Sequence, residues 1–102
     1  PYLVLAVCLE AGLDGIRNQI TPPDAVTENV FEMQLQQRAK LGIESLPGDL
    51  EQAVEELEKD DYIKNVLGGH ITEKYLEAKR AEWADYRAQV TEWEIEKYLY
   101  KI

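Results

Sequence analysis

One cysteine, Cys8, and one histidine, His70, are all that this chain holds of two residue types on which much metal and nucleophile chemistry depends. A lone cysteine excludes an intrachain disulfide and a thiolate zinc site. Such sparing use suits a reducing compartment, so a cytoplasmic location is expected. The sequence has no Gly-rich phosphate loop, no nucleophile elbow and no metal-spaced His/Cys/Asp set. Arg17, Arg38, Arg80 and Arg87 stand far apart along the chain. Basic charge is scarce: 11 Lys and Arg face 20 Asp and Glu, for a net charge of −9. That balance would not neutralise phosphates, which argues against a nucleic-acid surface and against binding to an anionic membrane. The opening apolar stretch, Tyr2 to Leu9, is shorter than the ~20 residues of a membrane span. It has no basic leader, and Glu10 and Asp14 follow it closely.

Hydrophobic residues nonetheless make up 45% of the 102, too many for a disordered acidic tail. Strand-like alternation is missing, and helical spacing recurs, so the class expected is all-α with about five helices. Residues 2 to about 18 read as a first helix with apolar side chains on every face. Such a helix needs neighbours all around it, and a chain this short cannot supply them. The expectation is that these residues belong to a larger body or dock against identical copies.

Pro22 and Pro23 begin a loop that runs to about residue 31. A short helix follows within 32–42, with Gly42 as its stop. Asp49 is a good N-cap, with Gln52 three residues on, for a helix whose Leu50, Ala53, Val54 and Leu57 share one face. Glu51, Glu55, Glu56 and Glu58 fall on the other faces and read as solvated rather than metal-binding. Asp60 or Asp61 caps a short helix that Gly68 and Gly69 end. From His70 to about Gln89 the chain lacks Pro and Gly. Ile71, Tyr75, Ala78, Glu82 and Tyr86 form one stripe there, and Leu76, Trp83 and Val90 another. Thr91 and Glu94 make a capping box, after which Ile95, Tyr98, Leu99 and Ile102 repeat at helical spacing. Their aromatics suit an interface anchor. Cys8 reads as a small buried hydrophobe and His70 as a structural or solvated side chain. No complete active site emerges, so the isolated chain is expected to lack enzyme activity.

The stretches PYLVLAVCLEAGLDGI, PPDAVTENVFEM, SLPGDLEQAVEELEKDDYIKNVLGGHITEKYLEAKRAEW and YRAQVTEWEIEKYL, taken in series, resemble the C-terminal end of bacterial type I glutamine synthetases. The resemblance runs over essentially all of residues 1–102. It implies the C-terminal helical part of a larger α/β catalytic domain, with 91–102 as a C-terminal docking helix. Members ligate ammonia to L-glutamate with ATP, through a γ-glutamyl phosphate and with Mg²⁺ or Mn²⁺; their catalytic, ATP-binding and metal residues lie upstream of the matching part. The resemblance therefore implies no catalytic, cofactor or metal residue in this chain. Its partners would be the rest of its own polypeptide and identical subunits of a dodecamer. In the family the C-terminal segment reaches the opposite ring, which implies a ring-to-ring role for Trp93, Ile95, Tyr98, Leu99 and Ile102. Some members are switched off by adenylylation of a Tyr in an NLY context; here ENVF places Phe31 at that position, implying the non-adenylylated, feedback-inhibited subclass of Gram-positive bacteria. Glu82, in the EW pair with Trp83, matches by position a Glu linked to feedback control. The alternative from another class is a free-standing acidic helical interaction module.

Overall fold

The computed structural model describes residues 1–101. Among these, helices are the only regular elements. Helix α1 spans Tyr2–Arg17, α2 Leu35–Lys40, α3 Leu50–Lys59, α4 Asp61–Leu67 and α5 Gly69–Arg87. A single turn, α6 (Glu92–Glu94), leads into a π-helical turn over Ile95–Leu99. The all-α architecture is the one the periodicity predicts. Ile102, the last of the expected docking residues, lies outside the described residues.

Local chemistry accounts for the helix ends. The Asp49 carboxylate accepts the Gln52 amide N–H at 2.8 Å and opens α3. Gln52 does not close the box on its own cap; its side-chain oxygen accepts the N–H of Gly48, one residue earlier, at 3.0 Å. Asp60, and not Asp61, caps α4 by accepting the Ile63 N–H at 3.0 Å. At the end of α2, Gly42 takes φ +67. Ile43 then donates to the Arg38 carbonyl at 2.9 Å and Gly42 to that of Ala39 at 3.1 Å. That is the paired 6→1 and 5→2 closure that favours glycine at the left-handed residue. Helix α1 ends in the same way, but its left-handed residue is Gln19 at φ 51. Helix α1 therefore stops before Pro22, on its own closure.

Helices α3, α4 and α5 pack on one another, and α1 leans against α4. Helix α2 and the C-terminal turn pack on none of them. The face of α5 turned inward carries Thr72, Leu76, Lys79 and Trp83, the second of the two stripes read from sequence. Thr72 is buried there because its hydroxyl donates to the Lys64 carbonyl at 3.2 Å across the α4–α5 corner. Lys64 crosses the opposite corner, donating to the Glu58 carbonyl at 2.7 Å. Chain reversals at Asp60 and Gly68 are thus tied by side-chain-to-backbone bonds.

The core is very small. Only Met33 and Val54 are buried apolar residues among those described. The accessible surface is 9147 Å², whereas a compact monomer of this mass exposes about 5,900 Å². The radius of gyration, 18.7 Å, likewise exceeds the ~13 Å of a compact hundred-residue domain. Exposed apolar side chains contribute to that excess. On α1, Tyr2, Leu5, Leu9 and Ile16 are all more than half exposed. Only Val7, Glu10, Leu13, Asp14 and Gly15 are partly covered. The all-round apolar helix of the sequence is present, with most of its circumference bare.

Candidate functional site

Three surfaces gather the side chains that the sequence singled out. The first is an apolar hollow of about 230 Å³ where α1 meets the α3–α4–α5 group. Leu3, Val4 and Val7 of α1 face Leu57, Ile63, Leu67 and Ile71 across it. Cys8 borders the hollow and is exposed, which corrects the expectation of a buried hydrophobe: α1 has too few neighbours here to cover it. The helix is held at its edge by Tyr62, whose hydroxyl donates to the Glu10 carbonyl at 2.9 Å. Loss of hydration against α1, then the charges of Asp14 and Glu10, raise the Tyr62 pKa above its ordinary value.

The second surface is a cleft of about 310 Å³ between α3 and α5. Glu51, Glu55 and Glu58 form one wall, and Arg80, Trp83 and Arg87 the other. Three of the four glutamates read as a solvated face therefore look across at basic side chains. Glu58 and Arg80 form an ion pair, so Arg80 is isolated only in sequence. The signal was present: carboxylates at i, i+4 and i+7 on α3 match guanidiniums at i and i+7 on α5. What the sequence did not carry is that the two helices lie side by side. The Trp83 indole N–H is buried and has no acceptor. Glu82 lies outside this cleft. It is exposed and accepts a hydrogen bond from Lys79, one turn earlier; that bond, then the charge of Glu82, raises the Lys79 pKa.

The third surface is the C-terminal turn. Thr91 and Glu94 make the expected box: the Thr91 N–H donates to the Glu94 carboxylate at 2.8 Å, and the Glu94 N–H to the Thr91 hydroxyl at 3.2 Å. Hydrogen bonding by the Thr91 backbone, then by its side chain, lowers the Glu94 pKa. Beyond the box, α-helical spacing fails and the π turn takes over. Trp93 and Tyr98 meet edge to face with ring centroids 5.9 Å apart. Trp93, Tyr98 and Leu99 are each more than half exposed, and Ile95 is also exposed.

Phe31 is fully exposed on the loop before α2. The Asn29 side chain accepts its N–H at 3.1 Å, which fixes a tight turn there. His70 is exposed in the first turn of α5. Among the described residues, no three side chains of metal-binding type converge, and no helix is long and apolar enough to cross a membrane.

Comparison with known proteins gives the family. Residues 1–98 match the family described as glutamine synthetase, catalytic domain. A glutamine synthetase of Thermotoga maritima is 52% identical over 99 residues, covering 97% of this chain and 23% of the relative. One from Methanocaldococcus jannaschii is 50% identical over 99 residues, with 97% and 22% covered. One from Clostridium saccharobutylicum is 48% identical over 101 residues, with 99% and 23% covered. The chain spans less than a quarter of the length of these relatives.

Proposed function

The chain belongs to the glutamine synthetase family, and from that membership we propose that it serves as the C-terminal helical part of an enzyme that ligates ammonia to L-glutamate with ATP. The observation that carries this reading is the match over residues 1–98 to a catalytic domain whose relatives are more than four times as long. The bare circumference of α1 supports it. An apolar helix with Tyr2, Leu5, Leu9 and Ile16 in water is costly, at roughly 25 cal/mol for each Å² of apolar surface left uncovered. The rest of such a catalytic domain would cover it. ATP and a divalent cation, Mg²⁺ or Mn²⁺, would be bound by that remainder; phosphoryl transfer needs cations to neutralise the moving charge.

In this reading the chain's own role is scaffold and docking. Helices α3, α4 and α5 form a brace on which α1 is laid. Trp93, Ile95, Tyr98 and Leu99, with Ile102, form the segment that reaches an identical subunit of the opposite ring. Phe31 carries no hydroxyl, so adenylylation at that position is chemically closed. We read the protein accordingly as one of the non-adenylylated, feedback-inhibited subclass, with Glu82 as a regulatory carboxylate.

The test is a γ-glutamyl transfer assay with Mn²⁺ on the 102-residue chain and on the full-length protein that contains it. Activity confined to the full-length protein is the expected result. Activity in the chain alone, or none in either, overturns the reading. Deleting residues 91–102 from the full-length protein should reduce its assembled size in sedimentation. An unchanged assembly removes the docking role.

A further inference from the structure

The charged cleft between α3 and α5 has no part in the scaffold and docking roles proposed above. The two helices run antiparallel along it: Leu57 shares the apolar hollow with Ile71 and Tyr75, whereas Glu58 pairs with Arg80 further along α5. In that register Glu51, seven residues before Glu58, and Arg87, seven residues after Arg80, stand together at the far end of the cleft. The Glu58–Arg80 pair closes the near end. Among the described residues, Glu51, Glu55 and Arg87 form no ion pair. The far end therefore presents two carboxylates on one wall and a guanidinium on the other, each without a partner on this chain. Val54 and Ala84 line the cleft as well, and Val54 is buried beneath it. The Trp83 indole N–H is covered and takes no part.

A lone cation would answer only the α3 wall, and a lone anion only Arg87. A molecule carrying both charges answers the two together. Spacing sets its shape. Glu55 lies four residues from Glu51, which Arg87 faces, so about 6 Å of cleft separates Glu55 from Arg87 at 1.5 Å per residue. Four methylenes in an extended chain hold an ammonium and a carboxylate about 6 Å apart. We infer that the α3–α5 cleft binds a small zwitterion of the ω-amino carboxylate class. Its ammonium sits on Glu55 with Glu51 beside it, its carboxylate takes paired N–H bonds from Arg87, and its methylenes cross Val54 and Ala84. The cleft, at about 310 Å³, is at the small end of ligand sites, which suits a ligand of this size. Glu51, Glu55 and Arg87 are exposed, and exposed ion pairs are weak. The site therefore answers to a ligand that is abundant rather than one present in traces. The inference uses only the charges and register of two helices and does not depend on the function proposed above.

Calorimetric titration of the full-length protein with 5-aminopentanoate tests it. The expected result is saturable binding with a Kd on the order of 1 mM. Pentanoate and pentylamine each carry one of the two charges, and 3-aminopropanoate has only two methylenes and cannot reach both walls. All three should bind about tenfold more weakly or worse. Glu55→Gln and Arg87→Gln keep the shape of each side chain and remove its charge. Each should weaken 5-aminopentanoate by about tenfold or more, with the circular dichroism spectrum unchanged as the sign of an intact fold. Pentylamine binding as tightly as the zwitterion would reduce the cleft to an acidic patch and overturn the inference. So would zwitterion binding that survives both substitutions, since it would then lie elsewhere on the protein. An absence of heat at concentrations well above that Kd overturns it outright.

Discussion

The Tyr62 hydroxyl on α4 donates to the Glu10 backbone carbonyl on α1 at 2.9 Å, joining residues 52 apart in sequence. Apart from apolar contact around the hollow, it is this bond that orients the apolar helix on the α3–α4–α5 brace. Tyr62→Phe keeps the ring and removes the bond. The expected outcome is faster amide exchange through α1, with α3–α5 unchanged. Equal acceleration in both would mean that α1 is not separately tethered.

The same pair sets an alkaline limit. The Tyr62 pKa is raised above 10.0, first by lost hydration and then by the Asp14 and Glu10 charges. A raised folded pKa means that the phenol's contribution is fully present below the ordinary tyrosine value. It is lost as pH climbs through the raised one. Near neutral pH it is constant. Above pH 10, α1 should loosen in the wild type at a point where Tyr62→Phe shows no matching step, as followed by circular dichroism.

Glu94 behaves in the opposite sense. Its pKa lies below 4.5 because Thr91 hydrogen-bonds the ionised form. The capping box is therefore at full strength above the ordinary glutamate value and fails as pH falls through the lowered one. Amide exchange at Glu94 should accelerate on acidification, and Glu94→Gln should flatten that dependence.

Two left-handed residues give substitutions of opposite sign. Gly42 sits at φ +67 with open space where a Cβ would stand. Gly42→Ala should therefore cost about 1–2 kcal/mol through backbone conformation alone, with no clash. Gln19 sits at φ 51 in the equivalent place after α1. Gln19→Gly should relieve the same strain, with a gain of up to about 1 kcal/mol. Urea unfolding of both variants checks the pair; a loss for Gln19→Gly would contradict the account.

Asp49→Ala removes the cap that accepts the Gln52 N–H and should destabilise α3 by about 1 kcal/mol. Trp83→Phe should cost less than the usual loss of a large aromatic. The indole N–H it deletes is buried without an acceptor, and leaving such a group unpaired costs roughly 1–3 kcal/mol. Thermal unfolding of the two variants ranks them, with Asp49→Ala the lower.

Caps, stops and helix identities were legible because they are local. Asp49, Asp60, Thr91–Glu94, Gly42 and Gly68 act on backbone groups within a few residues, and their spacing states the chemistry. Serial similarity made the family legible too, since every stretch of residues 1–98 contributes to it. Three things were decided only by tertiary structure. The inward face of α5 was one: two stripes of comparable apolarity left its rotation open until Thr72 found the Lys64 carbonyl. The charged cleft was another, because Glu58 and Arg80 become partners only when α3 and α5 lie side by side. The last was the register of residues 95–99, where period alone favours an α-helix and the structure has a π turn with Trp93 and Tyr98 edge to face. Sequence settles what depends on neighbours along the chain; rotation, pairing across helices and the choice between near-equal registers depend on neighbours in space.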